Sequence, residues 1–469
     1  METPNRSKVH QPLRGSIKRI LVAAGLAIAV AAPAWTTQPP DVAGSSSTGV
    51  APGTEIGLTV PPDTQTPVFL RTAPDAECAL QPDFSNVTKP MKLYADGAGY
   101  VHFHTHLPQS AEIRLHLECS ANGNATTYPL LLRSAATPIE GMPMAETSEP
   151  PTPGSEQLPG LTAEELSQIS DDELLARGYP PRPDSSAPEQ LRQAWLQLVS
   201  KPLILLPDHK VSRSDIHHQP PTLVAGLASE HGPNWSGMEA FHGNGSVMEV
   251  SANWYVPPLI ARCGGQDWDG QEYSSTWVGM DGDLQTDPRA TDLVQAGTEQ
   301  DCFSFFGAYF FSYSTWTEVL PNQPTEQEAG LDINPGDNVQ VLAWIGDSQA
   351  HQDLHGGNAW FFLWDQTTSQ AVRVQTPLGD TQFLGSEAEW IMERPTVDGT
   401  YSLLANYGVA WMNFPYALSP GGKWANAKAK ANLQLSMYNR DVNFPDDNEL
   451  SDAWWLSPTS IQFGWKNYH

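Results

Sequence analysis

The chain has 469 residues, long enough for two or three domains and at least one sizeable core. It carries 25 Lys and Arg against 53 Asp and Glu, a formal charge of -28, and residues 219–469 hold nine basic and thirty acidic side chains. That balance argues against nucleic-acid binding, because little is available to neutralise phosphates. It suits a self-repelling soluble surface, or an enzyme built for acid in which many carboxylates are protonated.

Arg14, Lys18 and Arg19 precede an apolar run from Ile20 to Ala32, and Ala32-Pro33-Ala34 fits an A-x-A cleavage site. Residues 1–34 therefore read as a secretion signal and the mature protein as extracellular or periplasmic. The run is short for a membrane span of about 20 residues, so no other membrane contact is expected. Residues 35–53 are a linker by composition. From 54 to 136, alternating runs such as Tyr100-Val-His-Phe-His104 and Ile113-Arg-Leu-His-Leu117, separated by turn residues, predict a small β-sandwich domain. Strand periodicity puts His102, His104 and His106 on one face, with His116 on a hairpin partner, either as a half-exposed polar face or as a metal site.

Residues 137–160 form a second linker, and then helix is predicted. Thr162 is placed as an N-cap with Glu165 at the third helical position, and Ser185 to Val199 carries apolar residues at helical spacing. A short helical segment between a secretion signal and a β-rich domain reads as a propeptide. Residues 137–225 are assigned as linker and helical propeptide, with Lys210-Val-Ser-Arg213 as a processing candidate. From 226 to 469 strand alternation recurs, as in Val247-Met-Glu-Val-Ser-Ala-Asn-Trp-Tyr-Val256, without a long amphipathic helix. Many antiparallel strands over this length predict a large sandwich or jelly roll, so the fold class is all-β. Four cysteines in an exported chain suggest two disulfides. Cys78 with Cys119 and Cys263 with Cys302 is the simplest of the three pairings, since each stays inside one domain. No Cys/His ligand spacing is present, so neither a structural zinc nor a cofactor is expected.

Within the last domain four segments stand out: Ser275-Thr-Trp-Val-Gly-Met-Asp-Gly282, Thr291-Asp-Leu-Val-Gln-Ala-Gly297, Tyr313-Ser-Thr-Trp-Thr-Glu318 and Ala388-Glu-Trp-Ile-Met-Glu393. In this order they resemble the glutamic peptidases, the eqolisins of peptidase family G1. Asn234-Trp-Ser-Gly237, Trp254-Tyr-Val-Pro257 and Asn334-Pro-Gly-Asp337 extend the resemblance over residues 230–469. It implies a concanavalin A-like sandwich of two curved antiparallel sheets, and peptide-bond hydrolysis by a Gln and Glu pair without metal or covalent intermediate. The catalytic pair falls on Gln295 and Glu393. Trp277, Asp281, Trp316 and Glu318 match residues lining or supporting the cleft. Glu389 shares a strand face with Glu393, and only the resemblance assigns catalysis to the second. Two departures, Glu299 where the family often has Asp and Arg394-Pro395 after Glu393, bear on subsite preference and pH profile.

The chemistry fits the residue types. Hydrolysis without a nucleophilic side chain needs a base for water, a donor for the oxyanion and an acid for the leaving nitrogen. A glutamate performs the first and third tasks in turn, and a glutamine amide supplies the second. The sequence thus reads as a secreted acid endopeptidase made as a self-processed precursor, acting on protein or peptide substrates, with its own propeptide as inhibitor. The alternative is a non-catalytic lectin-like sandwich whose tryptophans stack on sugars. A glycoside hydrolase using Glu389 and Glu393 leaves the glutamine frame without a role. A metallopeptidase lacks an HExxH.

Overall fold

The computed structural model describes residues 53–467 except 84–89, 146–151, 153, 209–210, 214, 222–230, 241–242, 244, 261–262, 264–270, 284–290, 306, 349–350, 353–354, 421–422, 427, 429–430 and 440–448. The expected secretion signal, nearly all of the first linker, and Lys210 lie outside the described residues. Among the described residues, no helix is long and apolar enough to cross a membrane.

The alternating runs of the N-terminal part form a five-stranded sheet in the order Ile56–Val60, Asn124–Ser134, Glu112–Ala121, Glu77–Pro82, Met91–Tyr94. An antiparallel pair of Thr66–Arg71 and Tyr100–His106 packs against this sheet. Val68, Val101 and Phe103 meet Leu80, Leu115, Leu117 and Leu132 in one core, and Phe303, Phe305 and Phe310 from the C-terminal part join the same core. His104, Thr105 and His106 also pair with Phe311, Phe310 and Tyr309. His102, His104 and His106 alternate along one strand as expected, with the rings of His102 and His104 4.8 Å apart, but His116 is not on their hairpin partner. Tyr100–His106 pairs with Thr66–Arg71 and with residues 309–311, while His116 sits in the five-stranded sheet and meets Asp83 at 3.2 Å. His102 stacks on Phe69, and His104 bonds Asn334 at 3.1 Å. Two disulfides, Cys78–Cys119 and Cys263–Cys302, close the chain as expected.

The C-terminal part is built from β1 (Trp235–Ala240), β2 (Glu249–Tyr255), β3 (Gln271–Met280), β4 (Leu293–Phe305), β5 (Ala308–Leu320), β6 (Gln323–Glu328), β7 (Asn338–Ser348), β8 (Asn358–Asp365), β9 (Gln370–Pro377), β10 (Ala388–Glu393), β11 (Val409–Ser419), β12 (Ala431–Tyr438), β13 (Glu449–Ser457) and β14 (Ser460–Trp465). Each strand pairs antiparallel with the next in a single ribbon, β6-β5-β4-β3-β10-β1-β12-β13-β14-β11-β2-β7-β8-β9. The ribbon doubles back so that its halves face each other. Val278, Val294, Trp390 and Met392 of the first half meet Ala252, Trp254, Val341, Phe361 and Val374 of the second. Two-residue periodicity sends the alternate residues of the first half, including Trp277, Gln295, Trp316, Ile391 and Glu393, to the opposite face.

Helix is confined to α1 (Ala163–Gln168), α2 (Asp171–Ala176) and α3 (Glu189–Val199) among the named elements. Thr162 caps α1 in the expected capping box with Glu165. Trp195 and Leu198 of α3 pack on Leu342, Phe362 and Trp364 of the second half. The chain then lays Leu203–Leu206 parallel to β9 and Val211–Ser212 antiparallel to β6. Both ends of the ribbon are thereby covered, which removes exposed strand edges.

Candidate active site

Strand register fixes where the candidate side chains project. Gly279 of β3 lies between Gln295 of β4 and Glu389 of β10, while Ser275 lies between Glu299 and Glu393. Gln295 in turn stands opposite Glu318, and Gly297 opposite Trp316. Trp277 occupies the row between, and its indole lies over Gly279, where an added Cβ would come within 2.6 Å of Cζ3. The glycine therefore lets the ring lie across the site floor. From there Trp277 Nε1 donates to Glu393 Oε2 at 2.8 Å.

Glu393 is fully buried. Asn234, just before β1, donates to its Oε1 at 3.2 Å, and His218 Nδ1 lies 3.1 Å from its Oε2. Gln295 donates through Nε2 to Glu318 Oε2 at 2.7 Å and to the main-chain carbonyl of His218 at 3.0 Å. One residue thus touches both members of the expected pair. The ring of His218 stacks on Trp316, with centroids 3.7 Å apart and planes 4° from parallel. Its Nε2 meets Glu326 Oε2 at 3.0 Å and lies 3.9 Å from Glu299. Trp316 Nε1 is anchored on Ser275 Oγ at 3.0 Å. Asn234 also donates to the carbonyl of Gln219 at 2.8 Å. Five residues before His218, Arg213 is buried against Asp301 at 3.2 Å and Glu326 at 3.3 Å. Arg213, the last residue of the basic stretch read as a processing candidate, is thus committed to two buried carboxylates.

Electrostatics follow from this burial. Desolvation works against a charge on His218, but the Glu393 carboxylate, the hydrogen bonds to Glu326 and Glu393, and nearby Glu299 hold the imidazole well above its usual range. Burial raises Glu393, with His218 and the bonds from His218 and Trp277 opposing the rise. Burial pushes Glu318 up to about 8 against the attraction of His218. Burial and Asp301 raise Glu299 far above the carboxylate range.

The remaining candidates lie apart from Glu393. Asp281, in a left-handed conformation at φ +66°, accepts from the backbone N–H groups of Leu384, Gly385 and Ser386 and so fixes the loop before β10. Glu389 faces a different group, and burial with Glu239, Glu387 and Asp283 nearby holds its carboxyl well above the usual carboxylate range. Among the described residues, His218, Glu299 and Glu326 are the group whose ligand atoms, all within 4.8 Å of one another, could hold a metal ion. The direct His218–Glu326 bond already satisfies that imidazole nitrogen.

Sequence reasoning passed over His218, Asn234 and Glu326 as site residues. Asn234 stands in a segment singled out only as an opening strand. His218 belongs to the adjacent pair His217-His218, a doublet near the end of the expected propeptide. Glu326 carries no local signal.

Residues 233–444 match the model of the Peptidase A4 family. No curated protein matches the chain in sequence. Among solved structures, the chain is similar to scytalido-glutamic peptidase with a transition state analog inhibitor, at 19% identity over 50% of this chain and 98% of that one, TM-score 0.37. A second structure of the same peptidase, with a peptide based transition state analog, matches at 19% identity over 50% and 98%, TM-score 0.36. SCP-B, a member of the eqolisin family of peptidases in complex with a tripeptide, matches at 18% identity over 50% and 98%, TM-score 0.35.

Proposed function

Residues 233–444 belong to the Peptidase A4 family, and from that premise we propose that the chain is the precursor of a secreted acid endopeptidase in which Glu393 and Gln295 perform the hydrolysis. Ionised Glu393 takes a proton from water as the water oxygen adds to the substrate carbonyl carbon. The Gln295 amide donates to the oxygen on which negative charge develops. Glu393, now protonated, gives that proton to the departing nitrogen as the C–N bond breaks. Trp277 and Asn234 orient the carboxylate, and Glu318 turns the Gln295 amide nitrogen toward the substrate. The single observation that carries this reading is a main-chain carbonyl seated on the Gln295 amide while the same residue meets Glu393.

Residues 137–225 act as the propeptide, and its last part inhibits. His218 occupies Glu393 and Gln295, and Arg213 ties the segment to Asp301 and Glu326. The charged groups around His218 are Glu393, Glu326 and Glu299, and those around Arg213 are Glu326, Asp301 and Asp215. Acid protonates Glu393 and Asp301, both raised by burial, weakens their hold on the two cations and frees the segment for cleavage near residues 210–230. The test is transfer of the purified chain from neutral pH to pH 3–4. The wild type shortens and gains activity, while Glu393→Gln stays intact. A wild type that remains full-length and inactive overturns the proposal.

A further inference from the structure

We infer that Trp316, Glu326 and Glu299 form the subsite for the side chain on the acyl side of the cleaved bond, that this subsite selects histidine, and that His218–Gln219 is the first bond the enzyme cuts in its own chain. The inference rests on the peptidase reading above and adds to it a substrate class and a processing point.

The backbone fixes which residue occupies this position. The amide that stabilises the oxyanion must point at the carbonyl under attack, and in this chain the Gln295 amide points at the carbonyl of His218. The next residue is held as well, since the Gln219 carbonyl accepts from Asn234, which also bonds Glu393. Both sides of the His218–Gln219 bond are therefore anchored to the residues that would cleave it.

The side-chain pocket is specific in shape and charge. Trp316 offers a flat face matched to an imidazole, and Ser275 holds the indole in place. Glu326 meets the far ring nitrogen at 3.0 Å, with Glu299 behind it at 3.9 Å. An aliphatic side chain would leave Glu326 buried without this partner, which is costly. A lysine would forfeit the ring stacking. Histidine satisfies both surfaces and is cationic in acid.

Three of the four groups around the ring, Trp316, Glu326 and Glu299, lie outside the catalytic pair. The ring can therefore give up Glu393 while keeping Trp316 and Glu326, leaving the carboxylate to water. Water then adds to the His218 carbonyl carbon, the C–N bond breaks, and the proton carried by Glu393 goes to the Gln219 nitrogen. The products are a fragment ending in the His218 carboxylate and an enzyme beginning with the Gln219 amine.

Two measurements on the full chain test this. Mass mapping of the fragments formed soon after acidification should find Gln219 as the first new N-terminus. The activated enzyme should then cut a set of peptides differing only at the acyl-side residue about tenfold or more faster with His than with Leu, the scale of one hydrogen bond to a charged group. Glu326→Gln should lower that ratio. A first cut at another bond, or equal rates for His and Leu peptides, overturns the inference while leaving the peptidase reading intact. An acid-treated wild type that cuts no peptide at all overturns both.

Discussion

Above pH 6.5 this protein should lose stability, and Glu318 is one of three carboxyls, with Asp292 and Glu328, that burial lifts to about 8. Burial lifts the Glu318 carboxyl from 4.5 to about 8 in the folded chain. A raised folded-state value means the native state keeps a proton that the unfolded chain has released. Stability is therefore full below the unfolded value near 4.5 and falls as pH rises toward about 8. The whole span is worth on the order of 5 kcal/mol, or about 1.4 kcal/mol per pH unit. His218, held above its usual range, loses stability in the same direction once pH passes 6.5. His104 opposes the trend lower down, because burial depresses it from 6.5 to about 4, so the unfolded chain binds the extra proton between those values. The window is thus pH 6.5 to 8, where the contribution of Glu318 is about 2 kcal/mol, added to those of Asp292, Glu328 and His218. Urea unfolding at half-unit steps across that window should show falling stability. Glu318→Gln, which keeps an acceptor for the Gln295 amide, should reduce the slope by about 1.4 kcal/mol per pH unit. Stability that is flat or rising across the window, or an unchanged slope in the variant, would refute the reasoning.

Three further perturbations probe the site. Gln295→Ala should slow hydrolysis by roughly two orders of magnitude or more, the usual scale for a lost oxyanion donor, whereas Glu389→Gln should do far less because it faces Glu239 and Asp283; comparable losses in steady-state rates would show that the wrong glutamate has been chosen. Gly279→Ala should push the Trp277 ring off the site floor and cut activity, with circular dichroism unchanged. Arg213→Ala leaves Asp301 and Glu326 buried without their cation, an expected cost of about 3–5 kcal/mol, and should move the onset of self-cleavage on a gel to higher pH.

Much of the C-terminal site was legible because strand periodicity and four short motifs act locally. Alternation alone puts Glu389, Ile391 and Glu393 on one face of β10, and the motifs separate Gln295 and Glu393 from ordinary strand residues. The plug was not legible in the same way. Residues 211–219 have no periodicity, and the positions of Val211, Ser212, Arg213 and His218 come from pairing with β6 and from buried charges contributed by residues about 90 to 175 positions away. The strand partner of the histidine row was misplaced for a related reason. Adjacent β runs suggested a hairpin, but Tyr100–His106 pairs with Thr66–Arg71 and with residues 309–311, leaving His116 in another sheet. Asp281 was read as lining the cleft and supporting the pair, and its hold on the backbone of residues 384–386, a loop no motif marked, was not legible.

The most direct test of the Gln295 and Glu393 chemistry is hydrolysis of a denatured protein from pH 2 to 7 by the acid-activated chain and by Glu393→Gln, the variant freed of its propeptide by an added protease. Activity that peaks in acid and vanishes in the variant is the expected result. Equal activity in the two proteins, or none in the wild type after its propeptide is gone, would contradict the account.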